Sequence, residues 1–245
     1  MRTPLVASAI ALALFSAVPA RAGTISADYL PLFGTAIYYS TNLPGHIGPK
    51  TTNSGIFLAF RDDLPAGPGV DDKVPFFFRA SCVEIGEPLQ LPNNNAHATV
   101  THLLNATTNA GGISGPVTFD AQRNERAEKL WGAFLAGVGN QLQAAAFQLA
   151  LWEISFDDDM TLAGPGTPFY VGAAQFQPGI TDLAESWLSQ IFSDDATDLL
   201  PETRLLLLSA PGVQDVVTPV PEPATAGLVL LAGALSAARR VRPRP

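Results

Sequence analysis

Cysteine is nearly missing from this sequence: among 245 residues there is one, Cys82. A single cysteine excludes an internal disulfide. Histidine is also scarce, with only His46, His97 and His102. A zinc site needs ligands converging on one face. His97 and His102 lie five apart in an Asn-rich stretch that reads as extended, which puts them on opposite strand faces. Neither a metal site nor a cofactor is therefore expected. Basic residues are few as well. Of the 14 Lys and Arg, Arg2, Arg21, Arg239, Arg240, Arg242 and Arg244 sit near the two ends. Between Gly23 and Pro221 there remain 8 basic against 21 acidic side chains, a balance of −13. Neutralising phosphates takes clustered Lys and Arg, so nucleic acid is not expected as a partner. The P-loop, the dinucleotide fingerprint and the G-x-S-x-G elbow are missing, and no turnover enzyme is expected. The pairs Asp62-Asp63, Asp71-Asp72 and Asp194-Asp195 and the triplet Asp157-Asp158-Asp159 lack the ligand spacing of an EF-hand loop and read as solvated loops.

With 47% hydrophobic and 15% charged residues the chain is a folding sequence, not a disordered one. Its ends read differently from its middle. Residues 1–22 combine an early Arg2, an apolar run from Leu5 to Val18 and the small-x-small site Ala20-Arg21-Ala22, the layout of a secretory signal peptide. The competing reading is a retained N-terminal anchor. Residues 219–245 hold Pro221-Glu222-Pro223, a short apolar stretch from Ala224 to Ala238 and a basic end from Arg239. This tripartite tail resembles the PEP-CTERM sorting signal of Gram-negative bacteria. The resemblance implies transient insertion of a short transmembrane helix in the inner membrane. It also implies cutting near the motif by an exosortase, then release to the cell surface or extracellular matrix. An ordinary C-terminal anchor is the competing reading, and the Pro-Glu-Pro motif separates the two.

The body, residues 23–218, is expected to be α+β. Thr35 to Thr41, Gly55 to Arg61, Val74 to Ile85 and Ala98 to Leu104 are rich in β-branched and aromatic residues and read as strands. Asp62 to Asp72 reads as a loop and Pro92 to Asn95 as a turn. From Asp120, a capping residue, Ala127, Leu130, Trp131, Phe134, Leu135 and Val138 recur at helical spacing, with Gly137 and Gly139 closing the helix. A second helix runs from about Gln141 to Trp152. A third begins at Asp182, with Glu185 completing a capping box, and buries Ala184, Trp187, Leu188, Ile191 and Phe192. Thr203 to Ala210 is an apolar run suited to a buried strand. Strands, a helical block and strands again describe a sheet or sandwich packed with a small helical block.

Two short segments carry the chemistry. Cys82 stands on an apolar strand, and an odd cysteine in an exported protein points to an intermolecular bridge, a reactive thiol or a derivatised sulfur. Gln148 stands alone among apolar residues in Ala144-Ala145-Ala146-Phe147-Gln148-Leu149-Ala150-Leu151-Trp152, where a buried amide is costly without partners. The pair resembles the internal thioester domain of bacterial surface adhesins, in which a strand Cys joins a Gln in the pattern apolar-Gln-x-Ala-apolar-Trp. Phe147 to Trp152 matches that pattern at every position. The resemblance implies a Cys82–Gln148 thioester that acylates an amine on a surface or matrix ligand. Such an ester must be kept from water, and Phe147, Leu151, Trp152 and Phe76 to Phe78 are expected to supply that cover. The best-known members of that family come from Gram-positive surfaces, so the tail is a departure that leaves the target open. The alternative is a free buried cysteine and a satisfied helix glutamine in a non-covalent structural component of an exopolysaccharide or biofilm matrix.

Overall fold

The computed structural model describes residues 23–41, 48–61, 74, 77–85, 97–108, 116–157, 161–162, 169–171, 179–193 and 204–220. The signal peptide, the tail with Pro221, Glu222 and Pro223, the loop at 62–72, the turn at 92–95, His46, Phe76, Asp158, Asp159, Asp194 and Asp195 all lie outside these. The elements in chain order are β1 (Gly23–Thr41), β2 (Gly48–Arg61), β3 (Phe77–Cys82), β4 (His97–His102), α1 (Ala121–Phe134), α2 (Gln141–Phe156), β5 (Phe169–Tyr170), α3 (Ile180–Phe192), β6 (Leu205–Ala210) and β7 (Val213–Pro219). The architecture is α+β, a curled antiparallel sheet with three helices on it. Among the described residues, no helix is long and apolar enough to cross a membrane.

The strands follow the order β2-β3-β7-β6-β4-β1-β5, and β1 also pairs with β2, so the sheet closes on itself. Closure depends on strands that change partner along their length. β1 pairs with β4 over Gly23 to Ser26, then with β2 from Ala27 onward. β3 pairs with β2 over Phe77 to Ala80, then with β7 at Ser81 and Cys82. A register irregularity between Pro31 and Phe33 lies within the long β1–β2 pairing. Such breaks bend a strand and increase its twist.

Side-chain alternation along the strands separates two apolar clusters. On β6, Leu206, Leu208 and Ala210 pack with Ile25, Ala27, Phe57, Ala59, Phe78, Ala80, Cys82, Ala98, Val100 and Val216. Their neighbours Leu205 and Leu207 join the helices instead. Burial on both faces explains why β6 reads as one unbroken apolar run. The inward face is rich in alanine, which suits a tightly curled sheet.

The helical layer rests on α2. Asn140 caps it, accepting from Gln143 N at 2.9 Å, and every residue from Ala144 to Phe156 is buried. A helix apolar on all sides belongs in a core. Its small Ala144, Ala145 and Ala146 are buried, and the helix lies against β1 and β2. An aromatic chain ties the layer together: Trp131 packs edge-on to Phe147 at 5.4 Å, Phe134 stacks on Trp187 at 5.0 Å, and Trp152 meets Phe169 at 6.1 Å. Trp131 and Trp152 are buried as expected, whereas Phe134 is half-buried.

Several local expectations need correction. α1 is capped by Asp120, which accepts from Arg123 N at 2.9 Å, as the pattern suggests. α3, however, starts at Ile180, not Asp182. Its N-cap is Gly179 with a left-handed φ of 94° and no side-chain cap. Glycine tolerates that conformation, and Asp182 instead sits in the first turn, where a carboxylate suits the helix dipole. β3 is shorter than Val74 to Ile85. β1 and β2 are longer than their sequence patterns suggest, and β5 and β7 fall where no strand was expected. Asp157 is buried at 7% exposure, so it is no solvated loop residue; its N–H closes α2 by donating to Glu153 O at 2.8 Å.

Candidate functional site

Cys82 ends β3 at the point where that strand exchanges neighbours. Ala80 still has Phe57 of β2 opposite it, while Cys82 has Val216 of β7. Along an antiparallel strand, the N–H and C=O of successive residues point to alternate sides. Val83 N donates to Asp215 O at 3.1 Å, on the β7 side. The N–H and C=O of Cys82 therefore point the other way, toward the place that β2 has left.

Gln148 fills that place. Its Oε1 accepts from Cys82 N at 3.2 Å, and its Nε2 donates to Cys82 O at 2.6 Å. The carboxamide thus stands in for a peptide group of a neighbouring strand. Oε1 accepts a second bond, from Ser81 Oγ at 2.7 Å. Ser81 Oγ also lies 3.5 Å from Gly55 O, where β2 diverges. These contacts define the amide's orientation: its oxygen faces two donors and its nitrogen an acceptor, and a flipped amide would oppose N–H to N–H.

Both residues are sequestered, Gln148 at 1% exposure and Cys82 at 4%. The Cys82 side chain belongs to the inward cluster with Phe78, Ala80 and Val216, while Ser81 and Arg79 face the helical layer. Arg79 Nη1 donates to Leu135 O at 3.3 Å there. Beyond Cys82 the chain is clamped to β7, with Asp215 N donating to the buried Glu84 Oε2 at 3.2 Å. Burial pushes the Cys82 thiol far above the usual thiol range, and the nearby charge of Glu84 adds to the shift. The thiol is therefore protonated at neutral pH.

Cys82 and Gln148, the two residues singled out by their sequence surroundings, are thus brought together from a separation of 66 positions. The anticipated cover is only partly present. Phe147, Leu151 and Trp152 are buried, and Phe78 lines the inward face, but Phe77 is 57% exposed and shields nothing. Its ring instead meets Phe60 edge-on at 5.1 Å, in a direction set by strand alternation. His102 is exposed at the end of β4. Among the described residues, no group of three or more His, Cys, Asp or Glu is placed to hold a metal ion. Ser81 has no distinguishing mark in the sequence. Nothing in its type sets it apart, and only its position next to Cys82 on an alternating strand points to the helix-facing side.

No family model matches the sequence, and no curated protein matches it. Two solved structures are similar in shape. The N-terminal domain of the Streptococcus pyogenes pilus tip adhesin Cpa aligns with a TM-score of 0.40 and 11% identity, over 74% of this chain and 91% of that one. The N-terminal thioester domain of a surface protein from Clostridium perfringens aligns with a TM-score of 0.36 and 10% identity, over 75% and 98%.

Proposed function

We propose that this is an exported, surface adhesin-like protein whose body forms an internal thioester between Cys82 Sγ and Gln148 Cδ. The observation that carries the reading is the double hydrogen bond between the Gln148 carboxamide and the backbone of the only cysteine. A carboxamide held by both the N–H and the C=O of one residue is fixed against the backbone of the residue that carries the thiol. Such preorganisation replaces an improbable encounter by an intramolecular one. In the reaction, Sγ bonds to Cδ and the Cδ–Nε2 bond breaks. The thiol proton leaves with the nitrogen as ammonia. The thioester then reacts once with an amine: a Cδ–N bond forms, Cδ–Sγ breaks, and a proton from the amine returns to sulfur. This is stoichiometric coupling to an amine-bearing surface or matrix ligand, not turnover. Burial serves it, because water that reaches the bond hydrolyses it.

The sorting tail completes the proposal. Export through the signal peptide, passage through the inner membrane and cutting by an exosortase at Pro221-Glu222-Pro223 would deliver the body to the surface or matrix of a Gram-negative cell.

The test is the intact mass of freshly purified mature protein, with and without methylamine. The expected result is a deficit of one ammonia, replaced after treatment by the mass of one methylamine at Gln148, with both changes lost in Cys82→Ala. A full-mass protein whose Cys82 alkylates readily when folded refutes the thioester. Gln148 is then a structural plug with its hydrogen bonds complete, in a non-covalent matrix component.

A further inference from the structure

We infer that Ser81 is a catalytic residue of this site, its hydroxyl and the Cys82 N–H together forming an oxyanion hole for the Gln148 carbonyl. The inference rests on the thioester reading and assigns the group that polarises the reacting carbon. Attack at Cδ, first by Sγ and later by an amine, turns Oε1 from a carbonyl oxygen into an oxyanion in both steps. Two donors already converge on that oxygen, Ser81 Oγ at 2.7 Å and Cys82 N at 3.2 Å. These separations are close to those at which such donors stabilise a tetrahedral intermediate. The Ser81 hydroxyl has one proton and two acceptors in range. Gln148 Oε1 at 2.7 Å holds it against Gly55 O at 3.5 Å.

The surroundings strengthen the effect. Ser81 is fully buried, and a donor in a water-free, low-dielectric site is worth more than one in solvent. It also costs no reorganisation, since β3 is held by β7 on one side and Ser81 faces the helical layer by strand alternation. The role answers a difficulty in the chemistry. The buried thiol is protonated at neutral pH and an amide is a poor electrophile, so the carbonyl must supply the activation that the nucleophile lacks. The third hydrogen bond, from Gln148 Nε2 to Cys82 O, holds the departing nitrogen on the same residue's carbonyl.

The test compares wild type, Ser81→Ala and Ser81→Thr in the whole mature protein by methylamine incorporation, followed by intact mass. Removing one oxyanion donor is expected to slow incorporation about 100-fold. Ser81→Thr, which keeps the hydroxyl, is expected to restore most of the rate. Incorporation by Ser81→Ala at the wild-type rate overturns the role while leaving the thioester intact. Wild type with no ammonia deficit fails the underlying reading instead, and the role falls with it. A second measurement needs no variant. In wild type labelled with carbon-13 at glutamine, the thioester carbonyl stretch is expected below that of an unbonded alkyl thioester. A band at the unbonded frequency overturns the assignment even if Ser81→Ala does not fold.

Discussion

Opening the proposed thioester with methylamine is expected to lower the thermal stability of the body by a calculable amount. The bond would tie together residues 66 positions apart. A cross-link of that span removes denatured-state entropy worth about 4 kcal/mol at 25 °C in the chain-entropy account. One local term acts against it. While the thioester exists, Cys82 O has lost the Nε2 donor, because the nitrogen left as ammonia. Aminolysis puts an N–H back on the same carbon, which regains a hydrogen bond worth about 1 kcal/mol. The net loss on opening is then about 3 kcal/mol. For a body of this size, each kcal/mol moves the midpoint by roughly 2–4 °C, so Tm falls by roughly 6–12 °C. Calorimetry of one preparation before and after methylamine measures this, with Cys82→Ala as a protein that never held the cross-link and so shows no shift. If mass spectrometry records full incorporation and Tm does not move, the bond does not constrain the fold and the reasoning fails.

Three further outcomes follow from the same structure. In a variant that keeps the free thiol, such as Gln148→Asn, burial raises the folded-state pKa of Cys82. Its contribution to stability is complete below the unfolded thiol value of about 8.5 and is lost as pH rises above it, at up to about 1.4 kcal/mol per pH unit. Wild type with its sulfur acylated lacks this alkaline loss, and urea titrations from pH 7 to 10 distinguish the two. Phe147→Ala removes a fully buried ring between Trp131 and Trp187 and is expected to cost about 3–5 kcal/mol by denaturant unfolding. A cost under about 1 kcal/mol would mean that the aromatic chain does not anchor α2. In the native host, Glu222→Ala is expected to hold the protein in the inner membrane, and residues 224–245 are expected to be missing from secreted wild type. Unaltered secretion of the variant, or tail peptides in the medium, counts against the sorting signal.

Periodicity in the sequence is enough to reveal α1 and the buried character of β6, because each has a pattern that depends on few neighbours. The spacing of Ala127, Leu130 and Trp131 defines one helix face, and four consecutive leucines between prolines suit a strand buried on both sides. The unique Cys82 and the isolated Gln148 are also visible, since an amide among apolar residues is a local anomaly. Other features have no local signature. α2 is buried all round, so periodicity does not say which side meets the sheet. β7 carries Gln214 and Asp215 among its valines, and it is fixed by tertiary bonds: Asp215 N donates to Glu84 Oε2, and Asp215 O accepts from Val83 N. The start of α3 depends on the backbone angle at Gly179, which composition does not encode. Above all, the relation between Cys82 and Gln148 is tertiary. It exists because β3 passes from β2 to β7 at Ser81, leaving one N–H and one C=O of the sheet without a strand partner. Hydrogen bonding demands that buried backbone groups be satisfied, and α2 lies where the Gln148 side chain can do so. The sequence determined which groups were present, and only the closing of the sheet decided that they meet.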